Sequence, residues 1–324
     1  MNKFRWLGIV GIFLLIYLVH KFGFDKIVAN VASLRYYLLL IFIPSVCTLL
    51  ASGLAFRRLL AHLGEQVYYW TIIRIKIIGT AFDRLLPLSY IGGDSVQYFH
   101  FKERMPAMNS ASALIIDRAI NVYGSLIMMF FSAAFLGLKF DVVPLWVEIA
   151  LPAVILLILA GFTFLLFKSR KRFFVAAAKF INKVNFKKEA LLKLLGKAEN
   201  LNNNISGFFK TGKNTFLFVL SMHLTGRLMG IVEIWLIMLV MGLGNMPELA
   251  FVMAGLTSLL VSVFVIIPGQ IGFMEASYGM VFMLLGYDPE IGVSVQLVRR
   301  LRVIIWICIG LFLVNFGKDV KRAT

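Results

Sequence analysis

The stretch Leu-Pro-Leu-Ser-Tyr-Ile-Gly-Gly-Asp at residues 86–94 interrupts a hydrophobic segment, and a related stretch interrupts a second segment much later in the chain. Pro87 precedes Asp94 by seven residues, and Arg118 follows Asp94 by 24 residues. The three positions recur, with one offset of 181 residues and no gap, as Pro268, Glu275 and Arg299. Ionisable residues inside hydrocarbon are costly, so a doubled, Gly/Pro-interrupted hydrophobic segment that carries them predicts a substrate or ion site.

Composition indicates an integral membrane protein. Of 324 residues, 60% are hydrophobic and only 15% are charged, whereas ordinary soluble domains contain roughly 25% charged residues. The apolar stretches are continuous rather than alternating, which argues against a β-barrel. We therefore predict an all-α fold, a polytopic transmembrane helical bundle that packs as a single transmembrane domain over residues 1–324.

The net charge of +17 comes from Lys and Arg at the ends of apolar runs and in one long linker. This distribution is typical of cytoplasmic loops, and no nucleic-acid recognition module accompanies it, so no nucleic-acid partner is predicted. Cys47 and Cys308 lie in apolar runs, and the four histidines lack ligand spacing. The sequence therefore predicts no disulfide, no metal site and no cofactor.

Hydrophobic runs define about eight membrane helices. Two segments, about 66–105 and 249–287, are broken by Gly and Pro, and each predicts a re-entrant helical hairpin whose broken backbone is buried in protein or lines a wet cavity. The other predicted segments are a first helix or signal anchor at 6–19, spans at 36–56, 119–138, 149–167 and 215–240, and a last helix at 290–316.

The segment 168–213 carries 12 Lys/Arg against two Glu. Its apolar residues fall on one helical face in two successive stretches, which predicts either basic amphipathic helices on an anionic leaflet or an ordinary cytoplasmic connector. In both interpretations this basic linker is cytoplasmic, and the same charge rule places both termini inside. Repeat one, about 66–138, then crosses from inside to outside, and repeat two, about 249–317, crosses back. We therefore predict an inverted repeat in the plasma (inner) membrane.

Two interpretations fit the repeated carboxylates and arginines. Asp94 and Glu275 would cap the helices that begin after the breaks, because carboxylates favour the positive end of a helix dipole. Arg118 and Arg299 would then be their buried partners. Alternatively, the guanidinium groups bind an anionic lipid phosphate, together with the helix N-termini at the breaks. The second copy has three arginines close together beside one glutamate, which favours the anion site.

No catalytic Ser-His-Asp or Cys-His arrangement is recognisable in the sequence. The residues predicted to contact the head group are Arg84, Arg118, Arg299 and Arg300. The residues predicted to form the helix breaks are Pro87, Gly92, Gly93, Asp94, Pro268, Gly269, Gly272 and Glu275. The sequence thus predicts a binding site built around two broken helices.

At these residues the chain resembles the lysylphosphatidylglycerol synthase transmembrane-region family, also called flippase-like domain proteins. The resemblance is carried by Leu86-Pro87, Gly92-Gly93-Asp94, Asp117-Arg118, Ile267 to Gly272 with Glu275, and Arg299. Gln270 replaces one glycine of the family's Pro-Gly-Gly-x-Gly form, and Phe273-Met274 stand where a small residue and an Arg are common. The resemblance covers nearly the whole chain.

The resemblance implies a protein that handles lipids. In two-part members, a transmembrane flippase unit moves aminoacylated phosphatidylglycerol, and a separate soluble domain makes it. This chain ends at Thr324, shortly after the last predicted span, which leaves no room for the soluble transferase domain. We therefore expect no lysyltransferase activity and do not predict an enzyme.

Three hypotheses for function remain open from the sequence. The first is a flippase-like carrier for an anionic or glycosylated lipid head group, with membrane phospholipids or a lipid-linked substrate as its ligands. The second is a non-transporting membrane partner of a glycosyltransferase or envelope-lipid synthase. The third is an ion-coupled small-solute transporter in which Asp94 and Glu275 bind protons or cations.

Overall fold

The structure, a computed structural model, describes residues 37–85, 91–140, 144–167, 188–264, 267 and 270–316. These ranges contain ten helices and no strand, which confirms the all-α prediction for the described part of the chain. The helices are α1 Leu38–His62, α2 Tyr69–Leu85, α3 Ile91–Phe101, α4 Ala107–Lys139, α5 Leu145–Phe167, α6 Lys188–Thr211, α7 Lys213–Val240, α8 Pro247–Val263, α9 Phe273–Leu284 and α10 Pro289–Phe316.

Four of these helices, α1, α4, α5 and α7, are long and apolar enough to cross a membrane. Two of them extend beyond the predicted spans, since α1 continues through Arg57 to His62, and α4 begins at Ala107, well before Asp117. Charged residues end a hydrophobic run without ending a helix, because Arg and Lys are good helix formers. The predicted first helix at 6–19 lies outside the described residues, and the total of eight membrane helices stays a prediction.

The first broken segment folds into two antiparallel helices, α2 and α3. Gly93 near the start of α3 lies beside Asp83 near the end of α2. Arg104, just past the end of α3, lines a cleft with Thr71 near the start of α2. The helices meet closely because Gly93 has no side chain, and a Cβ there would overlap the carbonyl oxygen of Gly79. The first broken segment thus forms a helical hairpin, and its re-entrant placement in the membrane stays a prediction.

The second broken segment forms the same arrangement from α8 and α9. The ring of Phe273 at the start of α9 contacts that of Phe264 just past α8, with centroids 5.4 Å apart. Further along, Tyr278 of α9 hydrogen-bonds to Thr257 of α8. The turn into α9 has φ +79° at Gly272, in a region that residues with a Cβ rarely occupy. The structure thus contains a second hairpin with a glycine-dependent turn.

The order of helices repeats along the chain, with α1 to α4 corresponding to α7 to α10. Helices α2 and α8 each contain 17 residues, and α3 and α9 contain 11 and 12. Adding the sequence offset of 181 to Tyr69 and Ala107 gives 250 and 288, close to Pro247 and Pro289, where α8 and α10 begin. The structural repeat therefore includes one more helix per copy, α1 or α7, than the predicted boundaries of 66 and 249 allow.

The corresponding helices α1 and α7 pack against each other in opposite directions. His62 at the end of α1 contacts Thr215 near the start of α7, and Ile41 near the start of α1 shares an apolar cluster with Ile237 near the end of α7. In addition, α2 packs on α10 and α8 packs on α4, so each repeat lays its short helix against the long helix of the other. This reciprocal, antiparallel packing is the geometry of an inverted repeat.

Two helices lie between the repeats, and both pack on α4. Helix α5 leaves most of its apolar side chains exposed in the isolated chain, as a span facing lipid would. Helix α6 is the C-terminal part of the predicted basic linker, and its last turns pack on the bundle through Leu201, Ile205 and Phe208. These three residues of α6 therefore face protein, whereas the side chains of 188–199, which carry most of the second predicted amphipathic stretch, lie outside the described ones. The first predicted amphipathic stretch, 173–184, lies outside the described residues.

Candidate functional site

The first hairpin is held to α4 by an ion pair between Asp94 and Arg118. The Nε and Nη2 atoms of Arg118 donate to the two carboxylate oxygens of Asp94 at 2.8 and 2.7 Å. A two-pronged pair of this kind fixes the relative orientation of both groups and is among the stronger polar interactions. Arg118 Nη2 also lies 4.0 Å from the carboxylate of Asp83. The guanidinium of Arg118, predicted to bind a head group, is therefore engaged by two carboxylates of the first hairpin.

The predicted cap at the start of α3 comes from a different carboxylate. Both oxygens of Asp94 accept hydrogen bonds from Arg118, whereas Asp83 Oδ1 accepts one from the backbone N–H of Gly93 at 3.0 Å. Asp83 lies on the other arm of the hairpin, so this hydrogen bond also joins α2 to α3. Sequence reasoning missed this function of Asp83, although a carboxylate within an apolar run was a sign that it has a polar partner.

In the second hairpin, one carboxylate both caps the helix and forms the ion pair. Glu275 Oε2 accepts a hydrogen bond from the backbone N–H of Gly272 at 2.8 Å, so the predicted capping function is present. Glu275 Oε1 accepts one from Nε of Arg300 at 2.5 Å, and the Glu275 side chain is 0% exposed. The interpretation that Arg299 is the partner of Glu275 is wrong. Successive residues on a helix point about 100° apart, so Arg299 faces away when Arg300 faces Glu275.

Arg299 and Arg302 instead face Glu233, which is 1% exposed on α7. Arg302 Nη1 lies 3.0 Å from Glu233 Oε2, and Arg299 Nε lies 3.7 Å from Oε1. The second distance permits electrostatic attraction but is too long for a hydrogen bond. Arg299 also donates to the hydroxyl of Tyr278. Within the described residues, Glu233 Oε1 and the Nε atoms of Arg299 and Arg302 are buried without a hydrogen bond.

Arg84 lies at the end of α2, close enough to Asp83 and Arg302 to interact with both electrostatically. It is partly exposed, and the described part of the chain provides no hydrogen bond or ion pair to its guanidinium. Since α2 packs on α10, Arg84 brings a cation of the first repeat next to the arginines of the second. Arg84 thus lies near Arg302, one of the two arginines that face the carboxylate of Glu233. We call Arg84, Glu233, Arg299 and Arg302 the arginine cluster.

A third group of ionisable residues joins α2, α4 and α7. Asp117 of α4 accepts a hydrogen bond from Lys76 Nζ at 3.0 Å and lies 3.0 Å from Nε2 of His223. The sequence identifies Asp117 only as part of the motif Asp117-Arg118 and predicts no function for Lys76 or His223. These residues are far apart in the sequence, and only the packing of three helices brings them together.

Arg227 and Glu233, six residues apart on α7, have different neighbours, as their helical separation predicts. Arg227 donates to Asn121 Oδ1 at 2.7 Å and also to Ser125 of α4, whereas Glu233 faces the arginines of α10. Helix α7 is therefore bound by polar contacts to both repeats.

Three of the predicted helix-break residues, Pro87, Pro268 and Gly269, lie outside the described residues. Gly92 lies in the first turn of α3, beside Gly93. The remaining predicted break residues occupy the two hairpins as described above. The predicted head-group residues fall into two groups. Arg118 and Arg300 hold the hairpins, and Arg84 and Arg299 belong to the arginine cluster, which the structure brings together from both repeats.

Comparison with known proteins agrees with this architecture. The chain matches the family described as the lysylphosphatidylglycerol synthase TM region over residues 5–310. It belongs to this family. A UPF0104 membrane protein from Pyrococcus horikoshii is 23% identical over 311 residues, which cover 90% of this chain and 90% of that protein. No solved structure matches the chain. Membership in this family, together with four helices suited to cross a membrane, establishes an integral membrane protein.

Proposed function

We propose that this family member is a flippase-like carrier that moves a lipid with an anionic or glycosylated head group across the plasma membrane. The observation that carries the proposal is the arginine cluster, in which Glu233 faces Arg299 and Arg302 while three of their polar atoms are buried without hydrogen bonds in the described part of the chain. Buried polar groups are normally satisfied, so orphaned ones need an explanation. A bound polar head group supplies one.

The chemistry of the cluster suits a phosphate that also bears a hydroxyl or amino group. The Nε atoms of Arg299 and Arg302 are donors and would bind phosphate oxygens, because the planar guanidinium fork matches phosphate geometry. Glu233 Oε1 is an acceptor and would receive a hydrogen bond from a sugar hydroxyl, a glycerol hydroxyl or an amine. The guanidinium of Arg84 has no hydrogen-bond or ion-pair partner among the described residues, and it would add a third cation to the site.

The position of the cluster suits a carrier. It receives Arg84 from the first repeat and Glu233, Arg299 and Arg302 from the second, and transporters built from inverted repeats bind their substrates at the repeat interface. In this proposal Arg118 and Arg300 hold the hairpins in place through Asp94 and Glu275. The arginine cluster then provides most of the contacts to the head group.

Arg84→Gln is the sharpest test, because the described residues give Arg84 no structural partner and the variant should fold normally. Purified protein would be placed in proteoliposomes with fluorescent phosphatidylglycerol, a fluorescent glycolipid or fluorescent phosphatidylcholine, and translocation followed by dithionite quenching. Hydrogen bonds to charged groups contribute about 1.5–3 kcal/mol, so we expect translocation of the anionic lipid to slow by about tenfold or more with an unchanged melting temperature.

The matched control is Arg58→Gln, which removes an arginine from the exposed face of α1. It should leave translocation unchanged. A wild-type rate in Arg84→Gln for every lipid tested would overturn the assignment of the site. Absence of any translocation by the wild-type protein, under conditions where it stays folded, would overturn the proposed function itself.

The other two hypotheses differ in how the structure bears on them. Asp94 and Glu275 are both engaged with arginines, so a cation would have to displace a guanidinium to bind them, which weighs against a small-solute transporter coupled through these carboxylates. A non-transporting partnership with a glycosyltransferase or envelope-lipid synthase stays a prediction. Stable co-purification of such an enzyme, lost when residues 168–213 are replaced by a neutral linker, would support it.

A further inference from the structure

Lys76, Asp117 and His223 form a buried ionisable group separate from the arginine cluster. The Lys76 and Asp117 side chains are 10% and 13% exposed, and the His223 side chain is 7% exposed. The three residues come from α2, α4 and α7, so the group connects an arm of the first hairpin to one long helix of each repeat. Buried ionisable residues in membrane proteins are costly and commonly mark ion or proton paths.

The second half of the chain has no such charged group at the corresponding positions. With the offset of 181, the position corresponding to Asp117 is Val298, and the position corresponding to Lys76 is Thr257. Val298 is 1% exposed, so the second repeat fills the equivalent place with a buried apolar side chain. Replacing buried charges with well-packed apolar residues is often neutral or stabilising, so the charged version needs a reason beyond stability.

His223 has the geometry of a proton acceptor. With Nε2 directed at the carboxylate of Asp117, the neutral imidazole carries its proton on Nε2 and leaves the Nδ1 lone pair available. Nδ1 has no hydrogen-bond partner among the described residues. A proton added there would convert His223 to an imidazolium that still donates to Asp117 through Nε2, so the His223–Asp117 hydrogen bond would be kept.

The charges around His223 determine the consequence of this proton. Lys76 from α2 and Asp117 from α4 neutralise each other while His223 is neutral. Arg118 is the other charge near Asp117 on α4, and Arg227 lies about one turn further along α7. Thr48 of α1 and Ser258 of α8 are neutral groups on the helices that pack on α7, and Arg302 of α10 is occupied further along by Glu233. A proton on His223 would therefore place the single carboxylate of Asp117 between two cations, Lys76 and the His223 imidazolium.

We propose that His223 is a proton-binding site that couples proton movement to the position of the first hairpin. This inference rests on the proposed carrier function and specifies its energy source. A proton arriving from water binds Nδ1, the imidazolium competes with Lys76 for Asp117, and the attraction that holds α2 against α4 weakens. Loss of the proton on the other side of the membrane restores the Lys76–Asp117 pair. The second repeat has Val298 in place of Asp117, so the described residues contain this proton site once rather than twice.

The proton site is tested first without transport. Protein carrying ¹³C,¹⁵N-labelled histidine would be placed in lipid nanodiscs, and the imidazole signals followed by NMR between about pH 5 and pH 9, a range that brackets the ordinary histidine pKa of about 6.5. The His223 signal is assigned by its loss in His223→Gln, whose amide can still donate to Asp117 and so preserves the fold. We expect the signal to titrate within this range. A His223 signal that does not change over the whole range would overturn the inference.

Coupling is tested in the same proteoliposomes used for lipid translocation. A pH gradient of about one unit should shift the steady-state lipid distribution by about tenfold for each proton coupled, and His223→Gln should abolish that shift while retaining slow translocation. The matched control His100→Gln alters a histidine in the cleft beside α3 and should keep the gradient response. Translocation by the wild type that ignores the gradient would overturn the inference and leave the carrier function intact. A titrating His223 in a protein that moves no lipid would instead overturn the carrier function.

Discussion

The two hairpin breaks have the same residue types at the same spacing, yet their contacts differ. In the first hairpin, Asp83 accepts the backbone N–H at the break and Asp94 pairs with Arg118. In the second hairpin, Glu275 accepts the backbone N–H and also pairs with Arg300. At the first break, helix capping and ion pairing are carried out by two different carboxylates, and at the second break one carboxylate does both.

The carboxylates that form the ion pairs at the two breaks also differ in burial. The Asp94 side chain is 28% exposed, whereas that of Glu275 is 0% exposed. The second break therefore depends on a single buried carboxylate, while the first has a partly exposed ion pair and a separate cap. Because Arg300 pairs with Glu275, the neighbouring Arg299 is not needed for that ion pair and lies in the arginine cluster. We infer that the first break mainly supports the hairpin, and that the second supports the hairpin while providing a residue to the binding site.

Removing the arginine partner should have its largest effect in the second repeat. Arg300→Ala leaves Glu275 buried without its partner, which typically costs about 3–5 kcal/mol. Arg118→Ala leaves a carboxylate that water can partly solvate, so a smaller loss is expected. Thermal unfolding in nanodiscs should therefore give a lower melting temperature for Arg300→Ala than for Arg118→Ala. Equal melting temperatures, or the reverse order, would contradict the difference in burial.

Glycine substitution at the first break should act through sterics. A Cβ at Gly93 would overlap the Gly79 carbonyl oxygen and the Asp83 carboxylate, so Gly93→Ala forces α2 and α3 apart. Overpacking of this kind costs about 1–3 kcal/mol. The variant should unfold at lower temperature and expose the hairpin to protease. Gly161→Ala in α5, where a Cβ meets no atom within 4 Å, is the matched control and should be neutral.

Glycine substitution at the second break should act through the backbone. Gly272 has φ +79°, and a residue with a Cβ held in such a sparsely populated backbone region costs about 1–3 kcal/mol. Gly272→Ala should therefore lower the melting temperature modestly. Because the strained residue donates the N–H that Glu275 accepts, combining Gly272→Ala with Glu275→Ala should cost less than the sum of the two changes. Strict additivity would mean that the turn and the cap are independent.

The sequence was sufficient to predict the all-α fold and most of the described helices. Hydrophobic runs and Gly/Pro interruptions are local features, and the segments predicted to begin at 249 and about 290 begin in the structure at Pro247 and Pro289. It was also sufficient to predict that Glu275 caps a helix, because capping depends on residues only three positions apart.

The contacts between helices were beyond local reasoning. Whether Arg299 or Arg300 faces Glu275 depends on the rotation of α10 about its axis, and one residue changes that direction by about 100°. The hydrogen bond between Asp83 and Gly93 depends on how closely two helices approach. The contact between His223 and Asp117 joins residues 106 positions apart. Each of these depends on packing that no single segment of sequence encodes.

The smallest expected effect distinguishes the divided cap of the first break from the combined cap of the second. Asp83→Ala removes the acceptor for the Gly93 N–H and should cost about 1 kcal/mol, whereas Asp83→Asn keeps a carbonyl oxygen in the same place and should cost less. Neither change touches the two hydrogen bonds between Asp94 and Arg118, so both variants should keep the hairpin docked on α4.

Amide hydrogen exchange at the start of α3 is the measurement, because exchange there reports opening of the break itself. Faster exchange in Asp83→Ala, with exchange near the wild-type rate in Asp83→Asn, would show that capping and pairing are separable in the first repeat. Equal acceleration in both variants would show that the charge of Asp83, which lies 4.0 Å from Arg118, matters more than its hydrogen bond.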